Sequence, residues 1–248
     1  MTYIDKYAYL NRLRNVHPME KFLFAMTSLA IVMVSGSNLV HTMAFLIMSG
    51  VVLFAARIPV SVYLKLLLLP IFFLGAGVFS LIVQINFSAA TFSLTPGGMD
   101  QAWNLFLKAM ASVSCLYFLV LTIPVTEIIH ILRRFKIPVL FLELLVIVYK
   151  FIFILFDTLN RIYVSQNSRL GYKNYKTTFA SLGKLGGSLL ILSLKRYQDM
   201  YNALESRCFT GDFHFQNPKH SFSLLSIGYI VFCDSALIIT EVVTRSAT

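Results

Sequence analysis

Long apolar runs are the feature that most constrains the fold of this chain. Of its 248 residues, 57% are hydrophobic and only 13% are charged, whereas soluble domains carry about 25% charged residues. Such a chain has too little polar surface to cover itself in water, so lipid must solvate part of it. Lipid offers no partners to backbone N–H and C=O groups, and each run is therefore predicted to be helical. The runs cover residues 22–35, 39–56, 66–85, 105–123 and 222–240.

Basic residues between these runs predict the orientation of the chain, because lysine and arginine collect in cytoplasmic loops. Four precede the first run, whereas the connections 36–38 and 86–101 contain none. The stretch 124–221 holds 13 of the 21 basic residues. The N-terminus and this basic stretch are therefore predicted to be cytoplasmic, and five spans would place the C-terminus outside. The same distribution explains the net charge of +10 without nucleic-acid binding.

The chain is predicted to be an all-α, multi-pass membrane protein with five to six transmembrane helices and long amphipathic cytoplasmic helices. Residues 1–123 form an N-terminal transmembrane bundle of about four spans. Residues 124–221 form a cytoplasmic or interfacial domain, and residues 222–248 form a C-terminal transmembrane helix.

Two long helices are predicted in the middle domain, over residues 139–169 and 185–207, with a lysine- and glycine-containing turn at 171–187 between them. The second helix is amphipathic, with one face formed by leucines and tyrosines at helical spacing. These residues are Leu190, Leu194, Tyr197, Tyr201 and Leu204.

Four charged residues predict where the first of these helices lies. Glu143, Lys150 and Asp157 are seven residues apart and Arg161 follows four later, so all four share one helix face. A charge at the bilayer centre costs about 2.5–3.5 kcal/mol on insertion scales, and the helix is therefore predicted to lie in the interface or under the bundle. Two alternatives remain, a buried sixth span with an internal ion pair and a proton or ion relay along the stripe.

Two arginines stand near the predicted ends of these helices, in the segments Ser168-Arg169-Leu170-Gly171 and Ser206-Arg207-Cys208. An arginine at a helix C-terminus complements the helix dipole, and a nearby glycine stops the helix. These two effects at a helix end are enough to explain the arginine in either segment taken alone. A planar guanidinium also makes two directed hydrogen bonds to carboxylates or carbonyls. Two such ends in one basic region favour contact with a protein partner.

In these segments the sequence resembles the T component of energy-coupling-factor (ECF) transporters, and in particular its cobalt-type CbiQ family. The family has two short Ala-Arg-Gly-like motifs at the ends of its coupling helices. The segments 121–127 (LTIPVTE) and 203–211 (ALESRCFTG) are also similar, and the resemblance covers roughly residues 5–215. Serine replaces alanine in both motifs, Leu170 precedes the first glycine, and Cys208 stands where glycine is usual in the second.

The resemblance implies a non-catalytic coupling subunit of an ATP-driven importer of cobalt or nickel in a prokaryotic cell membrane. A dimer of CbiO- or EcfA-like cytoplasmic ATPases would bind ATP and Mg²⁺. A CbiM-like membrane subunit, with a small CbiN-like subunit where one exists, would bind Co²⁺ or Ni²⁺, and this chain would hold no cofactor. The residues that would dock to the ATPases are Ser168, Arg169, Gly171, Ser206, Arg207 and Cys208.

The residues themselves predict neither an enzyme nor a metal site. Gly183-Lys184 is not a Walker A loop, because Thr178 occupies the place of its first glycine. A cobalt or nickel site needs several nitrogen ligands in one geometry, and the histidines are scattered along the chain. They are His17, His41, His130, His214 and His220.

The alternative function is a stand-alone secondary carrier or a membrane anchor whose basic helices bind anionic lipid. A carrier is expected to show two related halves, and the sequence shows no such duplication. Binding to anionic lipid depends on the number of basic residues and not on their exact positions. A specific requirement for Arg169 and Arg207 would therefore separate the two hypotheses.

Overall fold

The computed structural model describes residues 3–86, 91–94, 98–208 and 224–247. Its helices are α1 (Tyr3–Leu10), α2 (Pro18–Val34), α3 (Asn38–Gly50), α4 (Val60–Ile82), α5 (Gly98–Thr122), α6 (Val125–Arg134), α7 (Val139–Ser168), α8 (Tyr175–Glu205) and α9 (Leu224–Ala247). A 3₁₀ turn, Arg12–Asn15, follows α1, and a π-helical turn, Val51–Ala55, extends α3. The predicted helical fold of a multi-pass membrane protein is confirmed.

Five helices of the described chain are long and apolar enough to cross a membrane. They are Asn38–Ala55, Val60–Leu81, Gly98–Thr122, Val139–Ser168 and Tyr175–Glu205. Helix α2, with 17 residues, has the length of a short span. Helices α7 and α8 are among these five, so by length and composition they are able to span the membrane. Their placement in the interface therefore stays a prediction.

The apolar run predicted at residues 66–85 divides into a helix and a strand. Helix α4 ends at Ile82, and two short antiparallel strands follow, β1 (Val83–Asn86) and β2 (Thr91–Leu94), with Val83 opposite Leu94. The alternation of apolar and polar residues in Val83-Gln84-Ile85 is typical of a strand. The predicted turn around Pro96 lies outside the described residues.

The chain divides into two compact units, Met1–Ile128 with Pro218–Thr248, and Ile129–Asn217. In the first unit α5 is central and packs against α1, α2, α3 and α4. Phe118 of α5 is buried and meets Phe24 of α2 edge to face, with ring centroids 5.5 Å apart. In the second unit Ile129 of α6 packs against Leu142 and Val146 of α7. The domain boundaries at 124 and 222 stay predictions.

Helix α9 runs parallel to α2, and polar side chains show the direction. Thr27 and Ser28 donate hydrogen bonds to the Asp234 carboxylate at 2.7 and 3.0 Å, and Ser35 donates to Glu241. From Ser28 to Ser35 and from Asp234 to Glu241 the chain advances by seven residues in the same sense, so the two helices point the same way. The hydroxyl groups also offset the cost of placing carboxylates in an apolar helix.

The parallel pairing limits how often the chain crosses the membrane between α2 and α9. If α2, α3, α4 and α5 each cross the membrane, these four crossings return the chain to the side where α2 begins. For α9 to run in the same direction as α2, α7 and α8 together must cross an even number of times. With that count, the parallel pairing favours an arrangement in which both helices cross or neither does, over one in which α7 alone forms a sixth span.

We expect the beginning of α2 and the end of α9 to lie on opposite sides of the membrane. The measurement is a pair of reporter fusions at each terminus, one a fluorescent protein that matures only in the cytoplasm and the other a phosphatase active only outside it. The two termini should give opposite responses. The same response at both termini would contradict the parallel arrangement.

Candidate partner-binding site

The two predicted coupling helices are α7 and α8. Helix α7 ends at Ser168, one residue before the predicted end, but α8 begins at Tyr175 and not at Leu185. The turn predicted at 171–187 is therefore wrong, and the chain reverses within residues 169–174, which we call the elbow. Asn174 caps α8 in a reciprocal pair of hydrogen bonds with Thr177, a combination that starts a helix firmly. The glycines at 183, 186 and 187 lie inside the helix despite costing up to about 1 kcal/mol each relative to alanine.

The two arginine segments have the same local structure, and we call residues 168–170 and 206–208 the arginine tips. In each tip the serine hydroxyl donates to the carbonyl four residues earlier. Ser168 donates to Val164 at 2.9 Å, and Ser206 donates to Asn202 at 2.7 Å. Each serine thereby turns its side chain back onto its own helix, and the arginine that follows is the first long side chain beyond the helix end.

The residue after each arginine lies in the left-handed region, with φ of 60° at Leu170 and 54° at Cys208. This conformation costs a residue with a side chain about 1–2 kcal/mol, which is why helices commonly end on glycine there. Leu170 and Cys208 therefore occupy equivalent positions in the two tips, at the point where a helix commonly ends on glycine. The two tips thus share the order serine, arginine and a left-handed residue.

Both arginine side chains are exposed. In the part of the chain that the structure describes, neither Arg169 nor Arg207 forms an ion pair, whereas Arg161 pairs with Asp157. Each tip thus presents a guanidinium with five N–H donors, and no ion pair within the described residues engages it. This is the chemistry that a carboxylate or a set of carbonyl oxygens on a partner would satisfy.

Three side chains hold the elbow together. The hydroxyl of Tyr172 donates to Gln166 Oε1 at 2.7 Å, and Gln166 Nε2 donates to the carbonyl of Ser181 at 3.2 Å. The hydroxyl of Ser181 donates to the carbonyl of Gly171 at 2.9 Å. The ring of Tyr172 also packs against that of Tyr163, with centroids 4.9 Å apart. Together these contacts fix the last turns of α7 against the beginning of α8.

Gly171 is needed in the elbow for space. Its N–H donates to the carbonyl of Gln166 at 2.9 Å, which closes the end of α7. A Cβ atom on Gly171 would lie 2.7 Å from Ser181 Oγ and 2.9 Å from the carbonyl oxygen of Gln166. The sequence predicts a helix stop at Gly171, whereas Gln166, Tyr172 and Ser181 have no distinctive spacing that would identify them.

Of the four charged residues predicted on one face of α7, two contact each other in the structure. Asp157 and Arg161 form an exposed ion pair at 2.8 Å, which is worth about 0.3–0.5 kcal/mol for residues four apart in a helix. Lys150 is exposed, and Glu143 is half-buried with its Oε1 shielded from solvent and without a hydrogen-bond partner among the described residues. Over that part of the chain Glu143 and Lys150 form no ion pair, so the relay stays a hypothesis.

No group of three or more metal-ligating side chains forms within the described ranges. His41 is fully buried, and its Nε2 lies 3.3 Å from the carbonyl oxygen of Ser35. His214 and His220 lie outside those ranges. The absence of a metal site from this chain stays a prediction.

Comparison with known proteins assigns the chain to a family. A model of the CbiQ cobalt transport protein family matches residues 11–218, which include both arginine tips. This chain belongs to the CbiQ family. The predicted resemblance is confirmed, and the chain is a multi-pass membrane component of a cobalt transport family.

Three relatives show how far the similarity extends. The cobalt transport protein CbiQ of Salmonella typhimurium is 30% identical over 227 residues, which cover 86% of this chain and all of that protein. An uncharacterized protein of Methanocaldococcus jannaschii is 29% identical over 99% of this chain and 94% of its own length. A putative fused cobalt transport protein CbiMQ of Methanocorpusculum labreanum is 28% identical over 84% of this chain and 36% of its own length.

Proposed function

We propose that this CbiQ-family chain is the transmembrane coupling subunit of an ATP-driven ECF-type importer of cobalt or nickel. The observation that carries the proposal is the repeated arginine tip. Two helices end in the same serine-capped, left-handed turn, and each exposes a guanidinium without a partner in the described chain. Two tips with the same Ser-Arg sequence and the same left-handed turn suit a partner that has two equivalent grooves, such as a dimer.

Cytoplasmic ATPase subunits of the CbiO or EcfA type would supply those grooves. They would bind ATP and Mg²⁺, and their closure would move the tips. Helix α7 has 30 residues and α8 has 31, so each is about 45 Å long at 1.5 Å per residue. Rigid helices of this length convert a movement at one end into a displacement at the other, as in other rigid-body transitions. The elbow would keep the tip of α7 in register with α8 during that movement.

A separate membrane subunit of the CbiM type would bind the metal ion, and the fused CbiMQ relative supports such a partner. The leucine and tyrosine face predicted on α8 is available for it. Exposed fractions along this face are 63% at Leu190, 57% at Leu194, 55% at Tyr197 and 54% at Tyr201. An apolar helix face of this kind suits a transmembrane partner or lipid, and not water.

Co-purification tests the proposal. An affinity-tagged form of this chain is co-expressed with the ATPase and substrate-binding subunits of the same genome and isolated in mild detergent. We expect the ATPase subunits to be retained at a defined ratio. Retention of anionic lipid without ATPase subunits would support the lipid-binding anchor instead.

A further inference from the structure

A buried lysine joins three segments of the first unit where α5 ends. Lys21 of α2 is 3% exposed, and its Nζ donates to the carbonyls of Leu13 and Thr122, each at 3.2 Å. The same Nζ lies 3.9 Å from Oε2 of Glu127, whose side chain is 9% exposed. One ammonium group therefore contacts the turn after α1, the end of α5 and the beginning of α6.

The end of α5 needs these donors. Helix α5 stops at Thr122, and Pro124, which has no N–H, follows two residues later, so the last carbonyls of α5 have no helical partners. Asn11 Nδ2 donates to the carbonyls of Leu121 and Thr122, each at 3.2 Å. A buried carbonyl without a partner is costly, and a cation at a helix C-terminus is favourable.

The beginning of α6 is held by the same arrangement. Glu127 lies in the first turn of α6, where the helix dipole favours a carboxylate. One residue earlier, the hydroxyl groups of Thr126 and Tyr9 are hydrogen-bonded at 3.2 Å. Lys21 thus sits between the negative end of α5 and a carboxylate in the first turn of α6, and it joins these two helix ends. From there α6 continues to Arg134 and the chain leads on to α7.

A buried ion pair is not needed for stability alone, because apolar residues of similar volume are often neutral or stabilising in its place. It does impose a geometry, since the charges must meet at one distance and in one direction. We propose that Lys21 and Glu127 are positioning residues that keep the junction of α5 and α6 rigid, so that movement of the coupling helices reaches the transmembrane bundle. This inference rests on the proposed coupling function.

The test measures cobalt taken up per ATP hydrolysed by the complete transporter in proteoliposomes. The variants are Lys21→Met, Glu127→Gln and the apolar double variant Lys21→Met/Glu127→Leu, and the matched control is Lys65→Met, which removes an exposed lysine of α4. We expect all four proteins to retain the ATPase subunits. Cobalt uptake per ATP should fall at least about fivefold in the first three and stay unchanged in the control.

The double variant separates positioning from stability. It removes the ion pair as a whole, so its thermal stability should exceed that of Lys21→Met, which leaves Glu127 buried without its counter-charge, while uptake per ATP stays low. Glu127→Gln keeps the side-chain volume and tests the same point if Lys21→Met does not assemble. Uptake per ATP equal to that of the control in the double variant and in Glu127→Gln would overturn the inference. A complex that retains no ATPase in its unsubstituted form would instead overturn the coupling function itself.

Discussion

Reversing the charge of either arginine tip should release the ATPase subunits from the purified complex. In Arg169→Glu and in Arg207→Glu, a guanidinium that would donate to carboxylates or carbonyls of the partner is replaced by a carboxylate that would repel them. Loss of one member of a buried, hydrogen-bonded charge pair at an interface costs about 2–5 kcal/mol, and 2 kcal/mol corresponds to about a 30-fold weaker affinity. The measurement is the amount of ATPase retained by the tagged chain after purification.

The matched control reverses the charge of two lysines, one in the elbow and one at the beginning of α8. Lys173 and Lys176 are exposed and lie four and seven residues after Arg169. The variant Lys173→Glu/Lys176→Glu changes the net charge twice as much as either arginine reversal. If the guanidinium groups bind a specific groove, this double variant should retain most of the ATPase. An equal loss in the control would indicate that the basic region acts only through its charge, as in lipid binding.

Adding one methyl group at the elbow should also separate the ATPase from the chain. In Gly171→Ala the new Cβ would displace Ser181 or the carbonyl of Gln166, both of which lie closer than 3.0 Å to its position. Overpacking of this kind costs about 1–3 kcal/mol. We expect a lower melting temperature of the purified chain and weaker retention of ATPase, because the first tip moves relative to α8.

Gly183→Ala is the comparison, because it makes the same chemical change inside α8. No atom lies within 4 Å of a Cβ built at this glycine, and alanine stabilises a helix interior by up to about 1 kcal/mol relative to glycine. The melting temperature should therefore rise in Gly183→Ala and fall in Gly171→Ala. A shift in the same direction in both variants would show that Gly171 has no special role in the elbow.

Much of the helical framework was predictable because lipid-solvated helices leave long apolar runs in the sequence. The limits of this signal are clear at α8, whose first ten residues were assigned to a turn because they contain Lys176, Gly183 and Lys184. The local signal for the true start is the pair Asn174 and Thr177, whose hydrogen bonds cap the beginning of α8. The short helices α1 and α6 leave no long apolar run and were not predicted.

The functional site was predictable only where a local motif carries it. The two arginines were identified from their segments, whereas the equivalence of Leu170 and Cys208 depends on backbone torsions that neither residue type favours. The contacts of the elbow depend on Gln166 reaching Ser181, and the buried lysine meets a carboxylate 106 residues later, at Glu127. Such pairs require the folded chain, because nothing in the spacing of the residues indicates which partners meet.

Uptake of radioactive cobalt into proteoliposomes tests the central claim most directly. The purified chain is reconstituted alone, with the ATPase subunits, with the substrate-binding subunit, and with both, and each preparation is measured with and without ATP. We predict uptake above the background of empty vesicles only in the complete preparation with ATP. ATP-independent accumulation of cobalt by the chain alone would contradict the account and would identify the protein as a transporter in its own right.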